Sequence, residues 1–154
     1  MIHENNFNVV VACQDIGGCQ ALTPVMLRLC QDGTEVSLYT VSARAAYFKM
    51  NSLNAHVLSG ELLNQIDEIL ESRRPQAVLL GTSLGHSIED DFVAACRRRE
   101  IPTVAFLDSW NLYSERFSDP ETGEFFKYCP DRICVTDTWA RDEMLEEGFL
   151  KDKR

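Results

Sequence analysis

The run Gln76-Ala-Val-Leu-Leu-Gly81 decides the fold of this chain, because every residue between its two ends is apolar. A strand that is apolar throughout is typical of a parallel sheet covered on both faces, whereas a strand with one face in water alternates. An amphipathic helical pattern precedes it over residues 61–74 and ends at Pro75. A second helical pattern begins at Ser87, with Asp90 in the capping-box position. The stretch therefore predicts a helix–strand–helix unit within a parallel sheet.

The same alternation of strand and helix patterns extends along the chain in both directions. Strands are expected over residues 7–13, 35–41, 55–58, 76–81, 102–107 and 132–136. Helices are expected over residues 21–31, 42–50, 61–74, 87–99 and 138–147. We therefore predict one α/β domain over residues 1–154, a single Rossmann-like three-layer sandwich with a mostly parallel sheet of about six strands.

Charge and hydropathy limit the partners that this chain can have. The 154 residues include 15 Lys and Arg and 24 Asp and Glu, which gives a formal net charge of −9. Nucleic acids and anionic membranes attract basic surfaces, so no nucleic acid is expected as a partner. No apolar run approaches the roughly 18 residues that span a membrane. Residues 1–6 also lack the features of a signal peptide. We expect a cytoplasmic protein that is not an integral membrane protein.

Six cysteines raise the question of disulfides or a metal site, and their spacing favours neither. No Cys-x-x-Cys pair occurs, and Pro130 interrupts the spacing between Cys129 and Cys134. Cys19 follows a pair of glycines near a predicted helix start, but no histidine lies near it in sequence to activate a thiolate. We predict free thiols, no metal and no cofactor. Four of them fall inside apolar patterns and are expected to behave as small hydrophobic residues: Cys13, Cys30, Cys96 and Cys134.

The segment Ala105-Phe-Leu-Asp-Ser-Trp-Asn-Leu-Tyr-Ser-Glu-Arg-Phe117 is the first place to look for a site. It follows the carboxyl end of a buried strand, where open α/β sheets bind their ligands, and it is longer and richer in polar and aromatic groups than an ordinary connection. Asp108 is expected to act at this edge, Trp110 and Tyr113 to line it for a sugar's apolar face, and Arg116 to pair with a phosphate or carboxylate. The alternative is structural: the aromatics, Phe117 included, hold the loop onto the domain and Asp108 caps backbone amides.

Two glycines follow the first predicted strand, in the segment Gln14-Asp-Ile-Gly-Gly-Cys19. Gly17 and Gly18 allow a tight turn and a close approach of backbone to ligand, and a helix N-terminus behind them favours an anionic group. The segment does not have the G-x-G-x-x-G pattern, so a dinucleotide cofactor is not expected.

Hydroxyls and a histidine follow the fourth predicted strand, in the segment Gly81-Thr-Ser-Leu-Gly-His-Ser87. Ser83 suits sugar or phosphate oxygens, and His86 is expected within reach of Asp108 as an acid–base partner. The acids that come next, residues 89–91, are also ordinary chemistry for the first turn of a helix. Further along, Asp137 is expected to serve only as a helix N-cap.

Together these segments resemble the N-terminal half of GT-B glycosyltransferase-like proteins, which include surface-carbohydrate enzymes, lipid A disaccharide synthase and the UDP-N-acetylglucosamine 2-epimerases. The resemblance implies a domain that binds a sugar or phosphosugar acceptor, with Gly17, Gly18, Ser83, His86 and Asp108 on the cleft wall. It also implies a donor site in a C-terminal domain or a partner chain. The segments that carry it are Asp15-Ile-Gly-Gly18, Gly81-Thr-Ser83, Leu107-Asp-Ser-Trp110, Tyr113 with Arg116-Phe117, Tyr128-Cys-Pro-Asp-Arg-Ile-Cys-Val-Thr-Asp137 and Glu147-Gly148-Phe149.

Three hypotheses of function follow. In the first, the chain is the acceptor-side domain of a glycosyltransferase-like protein of surface-carbohydrate type, inactive without a donor-binding domain or subunit. In the second, it is a stand-alone small-ligand-binding or regulatory domain without catalysis. In the third, it is a small hydrolase or isomerase that uses His86 and Asp108, although a single sheet edge leaves such a site open to water. Leu107-Asp108-Ser109 stands where the epimerases have a histidine-glutamate-glycine type of strand end, which argues against epimerase chemistry. A homodimer is left open.

Overall fold

The computed structural model describes residues 7–149 and contains one six-stranded, wholly parallel sheet with the order β3-β2-β1-β4-β5-β6. This confirms the predicted α/β class and the strand count. The strands are β1 (Asn8–Ala12), β2 (Glu35–Thr40), β3 (Ala55–Val57), β4 (Ala77–Leu80), β5 (Thr103–Phe106) and β6 (Arg132–Cys134). The helices are α1 (Ile16–Gln31), α2 (Ser42–Met50), α3 (Leu62–Arg73), α4 (Ile88–Arg98) and α5 (Thr138–Glu146), with a 3-10 turn at Glu115–Phe117.

The strand order reverses between β1 and β4, which places the switch point of the sheet at the centre of the molecule. Ligands of open α/β sheets bind outside the carboxyl ends of the strands at this point. The residues that follow β1, β4 and β5 therefore meet at one edge. All three segments singled out from the sequence lie there.

Alternate residues of β1 enter two separate apolar layers, as the pleat of a strand requires. Val9 and Val11 pack with Leu22 and Met26 of α1. Val10 packs on the opposite face, in a layer that draws on α3, α4 and α5. All three valines are almost completely buried. The strand is covered on both faces, which is the three-layer arrangement that the apolar runs predict.

Helix α1 begins at Ile16, five residues before the predicted start, so Gly17 and Gly18 lie in its first turn rather than in a preceding loop. Glycine lowers intrinsic helix propensity, and the glycine pair before residue 21 led to the later predicted start. Packing overrides propensity here. A Cβ on Gly18 would lie only 3.0 Å from the Cα of Gly81, so the glycine lets α1 approach the end of β4.

Two predicted helix caps are confirmed. Ser87 and Asp90 form the capping box of α4: the Ser87 amide donates to Asp90 Oδ2 at 2.9 Å, and the Asp90 amide donates to Ser87 Oγ at 3.4 Å. Asp137 caps α5 by accepting from the Ala140 amide at 2.8 Å. Asp137 does more than the predicted cap, however, because it also binds a tryptophan described below.

The six cysteines are free thiols, but the expectation of burial is wrong for two of the four placed in apolar patterns. Cys13 and Cys96 are buried, whereas Cys30 lies on the solvent side of α1 and Cys134 lies on the edge strand β6. An apolar pattern does not tell an edge strand from a central one. Across residues 7–149, no helix combines the length and apolar character needed to cross a membrane.

Candidate functional site

Asp108 lies directly against Gly17 at the switch point. A Cβ placed on Gly17 would collide with Oδ2 of Asp108, because the Asp108 carboxylate occupies the space beside the first turn of α1. The Thr82 hydroxyl donates to Asp108 Oδ1 at 3.2 Å. The ends of β1, β4 and β5 are thereby joined through one half-buried acid. A negative charge at this place is favoured by the dipole of α1.

A second acid, Glu89, lies beneath the same edge and was not identified as a site residue from the sequence. Its side chain belongs to the first turn of α4 and is only 4% exposed. Oε1 accepts hydrogen bonds from the Gln14 amide at 2.8 Å and from the Ser83 hydroxyl at 3.1 Å. Burial raises the pKa of the Glu89 carboxyl to about 7, although the hydrogen bonds, first that of the Gln14 amide, act in the opposite direction.

Thr82 and Ser83 connect these two acids to the end of β4. Thr82 donates to Asp108, and the next residue, Ser83, donates to Glu89. Both hydroxyl residues are buried. The short segment after β4 is therefore held by a carboxylate at each of two successive residues. Ser83, predicted to face a ligand, instead gives its hydroxyl to Glu89.

His86 does not pair with Asp108 in this structure, contrary to the expected acid–base pair. Its Nε2 lies 3.2 Å from Oδ1 of Asp91, and its Nδ1 lies 3.8 Å from Oδ2 of Asp90. The ring also packs edge-on against Tyr128, with 6.1 Å between the ring centroids. His86 follows Gly85, whose backbone has a φ of +79°, and is close in sequence to the acids of α4. Those local acids are its partners.

The aromatic residues after β5 divide into one exposed and one buried residue. Trp110 is 58% exposed, and its Nε1 donates to Asp137 Oδ2 at 2.8 Å. Tyr113 is 1% exposed, and its hydroxyl donates to Glu143 Oε2 at 2.9 Å. The expectation that Tyr113 lines the mouth with Trp110 is therefore wrong, and the structural alternative describes Tyr113 and Phe117. Tyr113 and Phe117 both belong to the buried apolar layer, because large rings in a long loop are most stable when they are buried.

Trp110 has a second exposed tryptophan as a neighbour, which the sequence did not single out. Trp110 and Trp139 line an open depression of about 380 Å³ together with Asp137 and Glu143. Both rings are more than half exposed. Aromatic faces and acceptor oxygens in one depression are suited to a sugar, which has an apolar face and a rim of hydroxyls.

Arg116 is half-buried and lines a small, partly open cavity. The cavity has a volume of about 10 Å³, which is the room that one water needs. Arg116 lines it together with Thr82, Ser83, Glu89 and Tyr128. The guanidinium Nε makes a long contact of 3.5 Å with the carbonyl of Asn111. In residues 7–149 no group of three or more histidine, cysteine or acidic side chains has the arrangement of a metal site.

No protein-family model matches the sequence, and no curated protein matches it either. Solved structures do match its fold. The UDP-GlcNAc 2-epimerase from Methanocaldococcus jannaschii has a TM-score of 0.71 over 96% of this chain, at 13% sequence identity. The UDP-GlcNAc 2-epimerase from Neisseria meningitidis, solved bound to UDP-GlcNAc, has a TM-score of 0.70 over 96% of this chain, at 14% identity. MurG from Acinetobacter baumannii has a TM-score of 0.54 over 66% of this chain, at 15% identity.

This chain spans 44% of the length of each of the two epimerases and 35% of that of MurG. It has the fold of the N-terminal half of these GT-B proteins, as the resemblance of its segments predicts. At such low identities the likeness concerns the fold. What the chain binds must be argued from the residues at its own sheet edge.

Proposed function

We propose that this chain is the acceptor-side domain of a glycosyltransferase-like protein of surface-carbohydrate type, which needs a donor-binding domain or partner subunit for turnover. The observation that carries the proposal is the contact of Asp108 with Gly17 at the switch point. It puts a half-buried carboxylate and the first turn of a helix at the place where this fold receives ligands. The neighbouring fold matches are nucleotide-sugar enzymes by their names.

The charges at this edge favour an acceptor that presents hydroxyl groups. The Asp108 carboxylate accepts hydrogen bonds, and the hydroxyl groups of a sugar can donate them. Trp110 and Trp139 provide apolar surface close to the carboxylate of Asp137. Arg116 supplies one cation for a phosphosugar. We therefore propose a sugar or phosphosugar acceptor, bound by Asp108, Gly17, Gly18 and Trp110.

The hydrolase or isomerase alternative has less support. It depends on a pair formed by His86 and Asp108, and His86 contacts Asp90 and Asp91 instead. A binding domain without catalysis uses the same edge and differs only in having no donor partner. In this proposal the donor site lies in a C-terminal domain or in a separate partner chain. A cytoplasmic location is also part of the proposal.

Nuclear magnetic resonance can test acceptor binding on the chain as it exists. Titration of the 15N-labelled chain with N-acetylglucosamine and with N-acetylglucosamine 1-phosphate should shift the amide signals of Gly17, Gly18 and Asp108. Residues at the amino ends of the strands, such as Thr103, serve as internal controls. We also expect no turnover of UDP-, GDP- or CMP-sugars by residues 1–154 alone, because transfer needs two reactants oriented across a cleft. Measured turnover, or shifts confined to the control residues, would contradict the proposal.

A further inference from the structure

The first turn of α4 is joined to Gln14, which follows β1, by two hydrogen bonds that run in opposite directions. The Gln14 amide donates to Glu89 Oε1 at 2.8 Å, and the Ile88 amide donates to Oε1 of Gln14 at 3.3 Å. Gln14 is also held from the other side, because Arg44 Nε donates to its carbonyl at 3.0 Å. The residue that leads into the first turn of α1 is thus positioned by α4.

The same oxygen of Glu89 holds the segment after β4. Ser83 donates to it at 3.1 Å, and a Cβ on Gly81 would lie 3.2 Å from it. Gly81 in turn touches Gly18, since a Cβ on Gly81 would lie 3.3 Å from the Cα of Gly18. Glu89 therefore supports, from below, both backbone segments that flank the proposed ligand.

The second oxygen of Glu89 has no hydrogen-bond partner among the residues that the structure describes, although it is buried. Glu89 lines the small cavity together with Arg116 and Tyr128. A buried acceptor without a partner is costly for an ionised carboxylate, whereas a protonated carboxyl has an O–H that a single water can accept. Because Oε1 is occupied by two donors, a proton on Glu89 belongs on Oε2.

We infer that Glu89 is a positioning residue for the proposed acceptor site, and that it holds Gln14 and Ser83 firmly only while it is ionised. The inference rests on the proposed function. Hydrogen bonds to a carboxylate are about twice as strong as those to a neutral carboxyl, so protonation loosens both segments. The raised pKa of Glu89 puts this change near neutral pH. The titratable and charged groups around Glu89 come from every element packed against it: Cys13 after β1, Cys19 on α1, Asp90 and Asp91 on α4, His86 before α4, Asp108 after β5, and Arg116 and Tyr128 in the lining of the same cavity.

The experiment follows the Gly17, Gly18 and Ser83 amide signals of the 15N-labelled chain from about pH 5 to about pH 8.5. In the wild type we expect them to titrate together, with a midpoint at about pH 7. Glu89→Gln, which imitates the protonated acid, should abolish the shared transition. Asp90→Asn, which removes the neighbouring titrating acid, should retain it. The inference is overturned if Glu89→Gln keeps the transition or if Asp90→Asn abolishes it.

A binding measurement separates this inference from the proposed function. N-acetylglucosamine carries no titrating group, so any pH dependence of its affinity comes from the protein. For the wild type, the affinity should be about fivefold weaker at about pH 5.5 than at about pH 8. For Glu89→Gln it should be weak at both. If the sugar binds neither protein while the amides titrate as expected, the proposed function fails and the role of Glu89 in holding the two segments stands. If Glu89→Gln does not fold, Ser83→Ala decides: loss of one donor should raise the midpoint of the transition, and an unchanged midpoint overturns the inference.

Discussion

The carboxylate of Asp108 occupies the space that a side chain at residue 17 would need, so Gly17 and Asp108 form one unit of the sheet edge. Gly18, the next residue, makes a different contact, with the backbone of Gly81. A side chain such as that of Asp108 can rotate away from an added methyl group, whereas a backbone cannot. The two neighbouring glycines therefore allow a matched test.

Gly17→Ala should leave stability nearly unchanged and weaken sugar binding. The alanine displaces the Asp108 carboxylate from Thr82, while its better helix propensity offsets the cost by about 1 kcal/mol. Gly18→Ala should destabilise the fold by about 1–3 kcal/mol, because α1 and the end of β4 must separate. Chemical denaturation of both variants gives the comparison. Equal loss of stability in the two would show that Asp108 is as rigidly held as backbone.

Asp108→Asn should change the melting temperature by no more than about 2 °C, because the amide oxygen still accepts from Thr82 and the residue is only half-buried. Binding of N-acetylglucosamine should weaken, since the carboxylate is a stronger acceptor than an amide. Calorimetry on folded protein measures both. A variant that melts several degrees lower with unchanged affinity would make Asp108 a structural residue.

Trp110→Ala should mainly weaken sugar binding, whereas Tyr113→Ala should mainly lower stability. Trp110 is mostly exposed, so its loss should cost little stability and weaken sugar binding. Tyr113 is buried and bonded to Glu143, so its loss should cost about 3–5 kcal/mol, as large-to-small changes in a core do. Tyr113→Phe, which removes only the hydroxyl, should cost about 1 kcal/mol. Thermal melts and sugar titrations of the three variants test this division of the loop.

The stability of the fold should decline as the pH rises from about 4.5 to about 7, through the contribution of Glu89. Its pKa is raised by burial from 4.5 to about 7, so in this window the folded protein binds more protons than the unfolded chain, and the stabilising effect is lost as the pH passes the folded value. Asp90, raised by burial to about 6, acts in the same direction from about 3.8 upward. Urea denaturation across this range measures the slope.

Glu89→Gln removes one of these two contributions and leaves the other. The variant should gain stability relative to the wild type at about pH 8 and lose that advantage at about pH 5. Asp90→Asn is the control, because the amide keeps the size of the side chain in the capping box. A pH dependence identical to that of the wild type in Glu89→Gln would mean that Glu89 is ionised at low pH in the folded protein.

The periodicity of apolar residues along the chain was enough to predict the α/β class, the six strands and the bounds of α2. The spacing of capping residues was enough to predict the caps at Ser87 and Asp137. These are local properties: the pleat of a strand, the repeat of a helix and the reach of a capping side chain each involve a few neighbouring residues. The place of the candidate site followed from one more general rule, that ligands bind at the carboxyl ends of parallel strands.

Contacts between distant segments were decided only by the tertiary structure. From the sequence Glu89 was an ordinary acid of a first helical turn, and it is buried because Gln14 after β1 and Ser83 after β4 pack against it. Tyr113 and Trp110 are three residues apart in one loop, but Tyr113 is buried in the apolar layer and Trp110 is exposed at the surface. Gly17 and Gly18 joined α1 because close packing against Asp108 and Gly81 outweighs their poor helix propensity. Burial and pairing depend on which segments meet in space, and local patterns carry little of that information.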